Sequence, residues 1–117
     1  MKKDFEKELS GGHPNSLGNT LKVVEDVLQN TGCFDELFAC YFSPDELVRL
    51  RVSNATKRVT KAKKEIVVPY IDRILNEVTK INQASAQWTL SSLFLLLQDD
   101  LTLDQKQRAQ KHMQENL

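Results

Sequence analysis

The sequence predicts an all-α protein, a short α-solenoid (superhelix) of antiparallel helix pairs. Three observations predict it. Apolar residues recur three and four apart through segment after segment, and no run alternates apolar with polar in the manner of a half-buried strand. Two stretches, Ser43-Pro44-Asp45-Glu46 and Thr102-Leu103-Asp104-Gln105, have the form of capping boxes, in which paired side chains satisfy the first free amides of a helix. The apolar pattern also repeats itself along the chain after 37 to 38 residues. With 117 residues, 40% hydrophobic and 27% charged, the chain has material for one globular domain.

Residues 1–18 read as an N-terminal arm, partly flexible, in which Phe5 and Leu9 share a face of a short helix until "GGHPNSLG" breaks it. Residues 19–117 form the helical repeat domain. Thr20–Gln29 places Leu21, Val24 and Leu28 on one stripe, with Asn30 and Gly32 as stop signals. "FDELFACYF" makes a short helix with Phe34, Leu37, Phe38 and Tyr41 inward. Ser43 is the expected N-cap of the next helix, with Pro44 in its first position and Glu46 closing the box. Its apolar residues Val48, Val52, Ala55, Val59 and Ala62 span an arc of about 80° at 100° per residue. Val68–Lys80 forms a fourth helix on Ile71, Ile74, Leu75 and Val78. Asn82 caps a fifth, whose main stripe is Ala86, Leu90, Leu93 and Leu97. Trp88, Phe94, Leu95 and Leu96 make its other sides apolar too, so it needs cover on more than one side. The last helix, about 103–115, is mostly polar, with Ala109, Met113 and Leu117 as a thin stripe.

Shifting Phe34, Leu37, Phe38 and Tyr41 by 37 lands on Ile71, Ile74, Leu75 and Val78. Shifting Val48, Val52, Ala55, Thr56 and Val59 by 38 lands on Ala86, Leu90, Leu93, Phe94 and Leu97. The unit, at about 33–63 and 66–98, is therefore a short helix followed by a longer antiparallel one. A plain helical bundle has the same periodicities without the shift. In "SPDELVRLRVSNATKRV", Asp45, Val48, Arg49, Val52, Ala55 and Val59 stand as in the second-helix opening of the HEAT repeat, and Cys33–Gln98 resembles that armadillo-type helical family. The second unit has Ala86-Gln87 in place of the Val-Arg pair. The resemblance implies a right-handed stack whose second helices line a concave face. Helix 20–29 and helix 103–115 would then cap its ends, the first as the remnant of a preceding unit.

Formal net charge is zero, with sixteen cations and sixteen acids, but seven cations and no acid lie in Val48–Lys64. That segment is +7 and the remainder −7, which favours a local patch over whole-molecule attraction to polyanions. Arg49, Arg51, Lys57, Arg58, Lys61 and Lys64 are the candidate contact residues. The plainer account is a solvated helix whose acids at the start and lysines at the end match its dipole. Binding to nucleic acid phosphates through 48–64 is the alternative function, although no aromatic is interleaved there for base stacking.

Chemistry has no candidate. Cys33 and Cys40 lack further metal ligands nearby, since His13 and His112 are both distant, and Cys40 is expected to be a buried free thiol. No phosphate loop, nucleophile–base pair or carboxylate pair is present, so catalytic residues, cofactor and metal are all expected to be none. Some DNA glycosylases share HEAT-like helix pairs, but two units are too few to wrap a duplex. Trp88 is expected in the core, with a contact anchor as its alternative role. The function expected is a non-enzymatic scaffold or adaptor for protein–protein contact. Its partner is another protein, the remainder of a longer chain, or a second copy packing on Phe94–Leu96. Without a signal peptide or membrane-length apolar run, and with two cysteines, a cytoplasmic location away from membranes is expected.

Overall fold

The computed structural model describes residues 5–10 and 19–115. Among them the chain is all helical, with no strand. The helices are α1 (Phe5–Leu9), α2 (Thr20–Gln29), α3 (Phe34–Ala39), α4 (Glu46–Lys63), α5 (Ile71–Asn76), α6 (Ala84–Leu96) and α7 (Leu103–Glu115). The short helices α3 and α5 each run on into a 3₁₀ turn, at Cys40–Phe42 and Val78–Lys80, before the chain reverses into the longer α4 and α6.

The two expected capping boxes have different outcomes. At α7 the box forms: Thr102 N donates to Gln105 Oε1 at 2.8 Å and Gln105 N donates to Thr102 Oγ1 at 3.1 Å. At α4 it does not. Asp45 stays extended and is the N-cap, its Oδ1 accepting from Leu47 N at 2.9 Å. Ser43 Oγ accepts instead from Asp45 N at 3.1 Å, a turn two residues upstream of the helix. Glu46 thereby becomes the first helical residue, too early to reach back, and the Asp45 carboxylate meets the amide ends directly.

The core matches the expected stripes in α3, α5 and α6: Phe34, Leu37, Phe38, Tyr41, Ile71, Ile74, Leu75, Val78, Ala86, Leu90, Leu93 and Leu97 are all buried. In α2 the stripe is rotated. Val23, Val24 and Val27 are buried, Leu28 is half-buried, and Leu21 is 55% exposed. Both α1 and α4 pack on α2, so its buried arc faces the space between them. In α4, Val48, Val52, Ala55 and Val59 are fully buried, but Ala62 is exposed because α2 ends alongside the last turn of α4. The segment expected as an arm contributes to the core through Phe5 and Leu9, both buried where α1 meets α2, α3 and α4. Residues 1–4 and 11–18 of that segment lie outside the described residues, as does Leu117.

Helix α4 lies between α2 and α6. Arg49 Nε, in the first turn of α4, donates to Gln83 Oε1 at the start of α6 at 2.7 Å, and Gln83 Nε2 donates to Glu46 O at 3.2 Å. At the other end Lys64 Nζ is 2.9 Å from Asp100 Oδ2, just past α6. Start is joined to start and end to end, so α4 and α6 run in the same direction. Lys63 Nζ donates to Leu28 O at 3.4 Å, bringing the ends of α4 and α2 together likewise.

The short helices follow the same rule. Tyr70 Oη donates to Asp35 Oδ1 at 2.7 Å, while Arg73 lies 4.7 Å over the Phe38 ring three residues further along both helices. Gln105 Nε2 donates to Asp72 Oδ1 at 2.8 Å, and Arg108 Nη2 bonds Asn76 Oδ1 one turn on. These hydrogen bonds between helix pairs join residues 32 to 37 apart in sequence. The contacts that hold α1, Lys22–Glu8 and Arg51–Leu9, have other separations.

Candidate functional site

The six expected contact residues do not form one surface. Arg51 is 1% exposed, in the middle of the core, and its Nη1 donates to Leu9 O at 2.8 Å. It supplies a donor to the carbonyl end of α1, which is a structural task, and it offers nothing to a partner. The spacing gave no warning, because Arg51 lies on the flank that α1 covers only once residues 5–9 fold back. Arg49 is half-buried and committed at both ends of its guanidinium, Nε to Gln83 and Nη1 to Ser43 O at 2.7 Å. Lys64 is held by Asp100, and this hydrogen bond and the carboxylate's charge raise its pKa above the ordinary lysine value.

Lys57, Arg58 and Lys61 remain on the surface, with Asn54, around a notch of about 150 Å³. No ion pair holds them among the described residues. Half of the expected patch thus serves the fold, and half faces solvent. The buried polar residues of α4 are tolerated because their hydroxyls turn back onto the helix. Ser53 Oγ donates to Arg49 O at 2.9 Å and Thr60 Oγ1 to Thr56 O at 2.7 Å. Burial of the Tyr41 hydroxyl beneath this stretch of α4 dominates its ionisation and pushes its pKa up to about 12.

Trp88 is where the expectation and the structure part most clearly. It is 72% exposed and Leu95, seven residues on, is 61% exposed. Two residues seven apart lie within about 20° of each other around a helix. Trp88 and Leu95 therefore mark a single outward stripe, with Ala84 exposed at its start and Ser91 and Ser92 half-buried along it. α6 carries no charged residue. Its N-cap is Gln83, rather than the expected Asn82, because the Gln83 amide is fixed by α4.

Phe94 behaves differently from Leu95. It is buried, with its ring edge-on to His112 at 6.2 Å between centroids, so the mostly polar α7 covers it with His112 and Ala109. Beside Leu95 a groove of about 280 Å³ opens between α6 and α7, lined by Phe94, Leu101, Ala109 and Met113 with Lys106 and the Gln98 and Gln110 amides at its rim. A second cleft, about 380 Å³, is lined by Leu75, Thr79, Lys80, Arg108, Lys111 and His112. Sequence reasoning singled out neither; both require knowing that α7 returns across α5 and α6.

Cys33 and Cys40 are free and buried, the Cys40 thiol donating to Glu36 O at 3.5 Å. Among the described residues no group of three or more His, Cys, Asp or Glu side chains could hold a metal ion. No described helix is long and apolar enough to cross a membrane. No family model, characterised protein or solved structure matches this chain.

Proposed function

We propose that this chain is a non-enzymatic, HEAT-like α-solenoid that acts in the cytoplasm as a scaffold or adaptor, binding another protein through the outer face of α6. Two features support the solenoid. Neighbouring helices within a row run in the same direction, whereas neighbours in an up-and-down bundle alternate. Polar contacts between pairs recur at 32 to 37 residues, close to the 37 to 38 residues of the apolar pattern.

The single observation that carries the binding role is the Trp88–Leu95 stripe on an uncharged helix. Exposed leucines are ordinary, but a large aromatic standing in water on the same stripe as a leucine that borders an apolar groove is the composition of an interface centre.

The experiment is a photo-crosslinking side chain at position 88, combined with sedimentation of the purified chain over a wide concentration range. A discrete crosslinked partner that disappears when Leu95→Glu is introduced supports the proposal. A monomeric chain that crosslinks nothing discrete contradicts it.

The rival function, nucleic acid phosphate binding, retains Lys57, Arg58 and Lys61 from the basic segment. A salt titration decides it. Affinity for nonspecific duplex that falls steeply with salt supports the rival, and absence of binding at low salt removes it.

A further inference from the structure

The exposed sides of α4 and α6 belong to one surface. The two helices are neighbours running in the same direction, and each buries the side that packs on the short helices. A shift of 38 residues carries Leu50, Asn54 and Lys57 of α4 onto Trp88, Ser92 and Leu95 of α6. The half-buried Leu50, Asn54 and Lys57 and the exposed Arg58 and Lys61 thus form a strip alongside the Trp88–Leu95 strip. One strip is cationic at its far end; the other is apolar. Neither strip contains a carboxylate, since between Val48 and Leu97 the acids are Glu65, Asp72 and Glu77, all between α4 and α6 or on α5.

Resting on the protein-binding role proposed above, we infer that the occupant of this surface is an acidic amphipathic helix of a different protein. Its apolar side lies over Trp88 and Leu95, and its carboxylates reach Lys57, Arg58 and Lys61. Charge complementarity selects this occupant over a second copy. In a two-fold pairing the same patch meets itself, so cations face either cations or the Trp88 strip. A two-fold pairing of this patch with itself therefore supplies it no acid. A helix is the natural guest because side chains seven apart on it repeat the 10.5 Å rise, about two turns, that separates Trp88 from Leu95.

The test uses the only tryptophan of the chain, Trp88, as the reporter. Three synthetic helical peptides without tryptophan share one leucine stripe and carry Glu, Gln or Lys along one flank. The Glu peptide is expected to shift Trp88 emission to shorter wavelength saturably and to bind about tenfold or more tighter than the Gln peptide at low salt. High salt should shrink that preference, since the cations are exposed. The triple change Lys57→Gln, Arg58→Gln, Lys61→Gln should bring the Glu peptide down to the affinity of the Gln peptide, leaving the latter unchanged. These positions are half-buried or exposed and unpaired among the described residues, so the variant is expected to fold, and its circular dichroism and unfolding midpoint confirm that.

Equal binding of Glu and Gln peptides, or a triple variant that keeps the preference, overturns the acidic occupant while the apolar docking face survives. A dimer that buries Trp88 overturns it as well. If none of the three peptides perturbs Trp88, the inference and the docking face fail together.

Discussion

Helices α4 and α6 are packed side by side in the same direction, each after a short helix, yet they use opposite materials. Charged α4 is the central element: it is packed on by α2, α6, α3 and α1, and it buries Arg51, Ser53, Thr56 and Thr60 beside its valines. Uncharged α6 has α4 on one side and α7 on another, and leaves Trp88 and Leu95 in water. Burial here follows the number of neighbours, and composition follows the task. α4 accommodates polar groups because Arg51, Ser53 and Thr60 each donate to a backbone carbonyl, whereas the apolar surplus of α6 exceeds what its neighbours cover.

The sharpest way to break this contrast is at Arg51. Arg51→Ala should cost about 3 kcal/mol, since it empties a fully buried site and leaves the Leu9 carbonyl without its donor. Urea unfolding measures it, and a near-zero cost would mean that α1 is not seated on α4.

Tyr41 comes next. Its folded pKa, raised to about 12 by burial, lies above the value near 10 of an unfolded chain, so the neutral phenol stabilises the fold fully below pH 10. That contribution is lost as pH rises from 10 to 12, by about 2–3 kcal/mol at most. Tyr41→Phe should flatten this part of the stability–pH curve measured by denaturant midpoints. An unchanged slope would refute the burial.

The amount legible in the sequence follows the same division. The order of the helices and the buried stripes of α3, α5 and α6 are readable because apolar spacing reports a face whenever one neighbour dominates. The expected helix Val68–Lys80, by contrast, is α-helical only over Ile71–Asn76, with 3₁₀ turns at Val68–Tyr70 and Val78–Lys80. The rotated stripe of α2 and the burial of Arg51 are not readable, since both depend on residues 5–9 packing against α2 and α4, which no spacing announces. The α4 cap lies two residues beyond the expected Ser43 because Ser43 and Asp45 are equally good caps by residue type, and only the backbone decides between them. Trp88 reads as inward from the sequence because its apolar surroundings there are not its surroundings in space. Of the six candidate contact residues, spacing could not tell which cations would meet Gln83, Ser43, Leu9 or Asp100.

Smaller effects refine the contrast between the helices. Lys64→Ala removes an exposed pair with Asp100, so any loss of stability should be slight and should vanish in molar salt. A loss that survives salt would show a buried tie between the ends of α4 and α6. The smallest effect belongs to Leu95→Ala, expected within about 0.5 kcal/mol of the parent although Leu93→Ala, two residues away and buried, should cost about 3 kcal/mol. Similar costs at both positions would dissolve the distinction between the inner and outer faces of α6.

The most direct measurement is the fluorescence of Trp88 in the dilute, monomeric chain, with acrylamide as quencher. An indole that stands off an uncharged helix should emit like one in water and be quenched freely, independent of further dilution. Short-wavelength emission protected from acrylamide in the monomer would place Trp88 inside the core and contradict the assignment of α6 as the contact face.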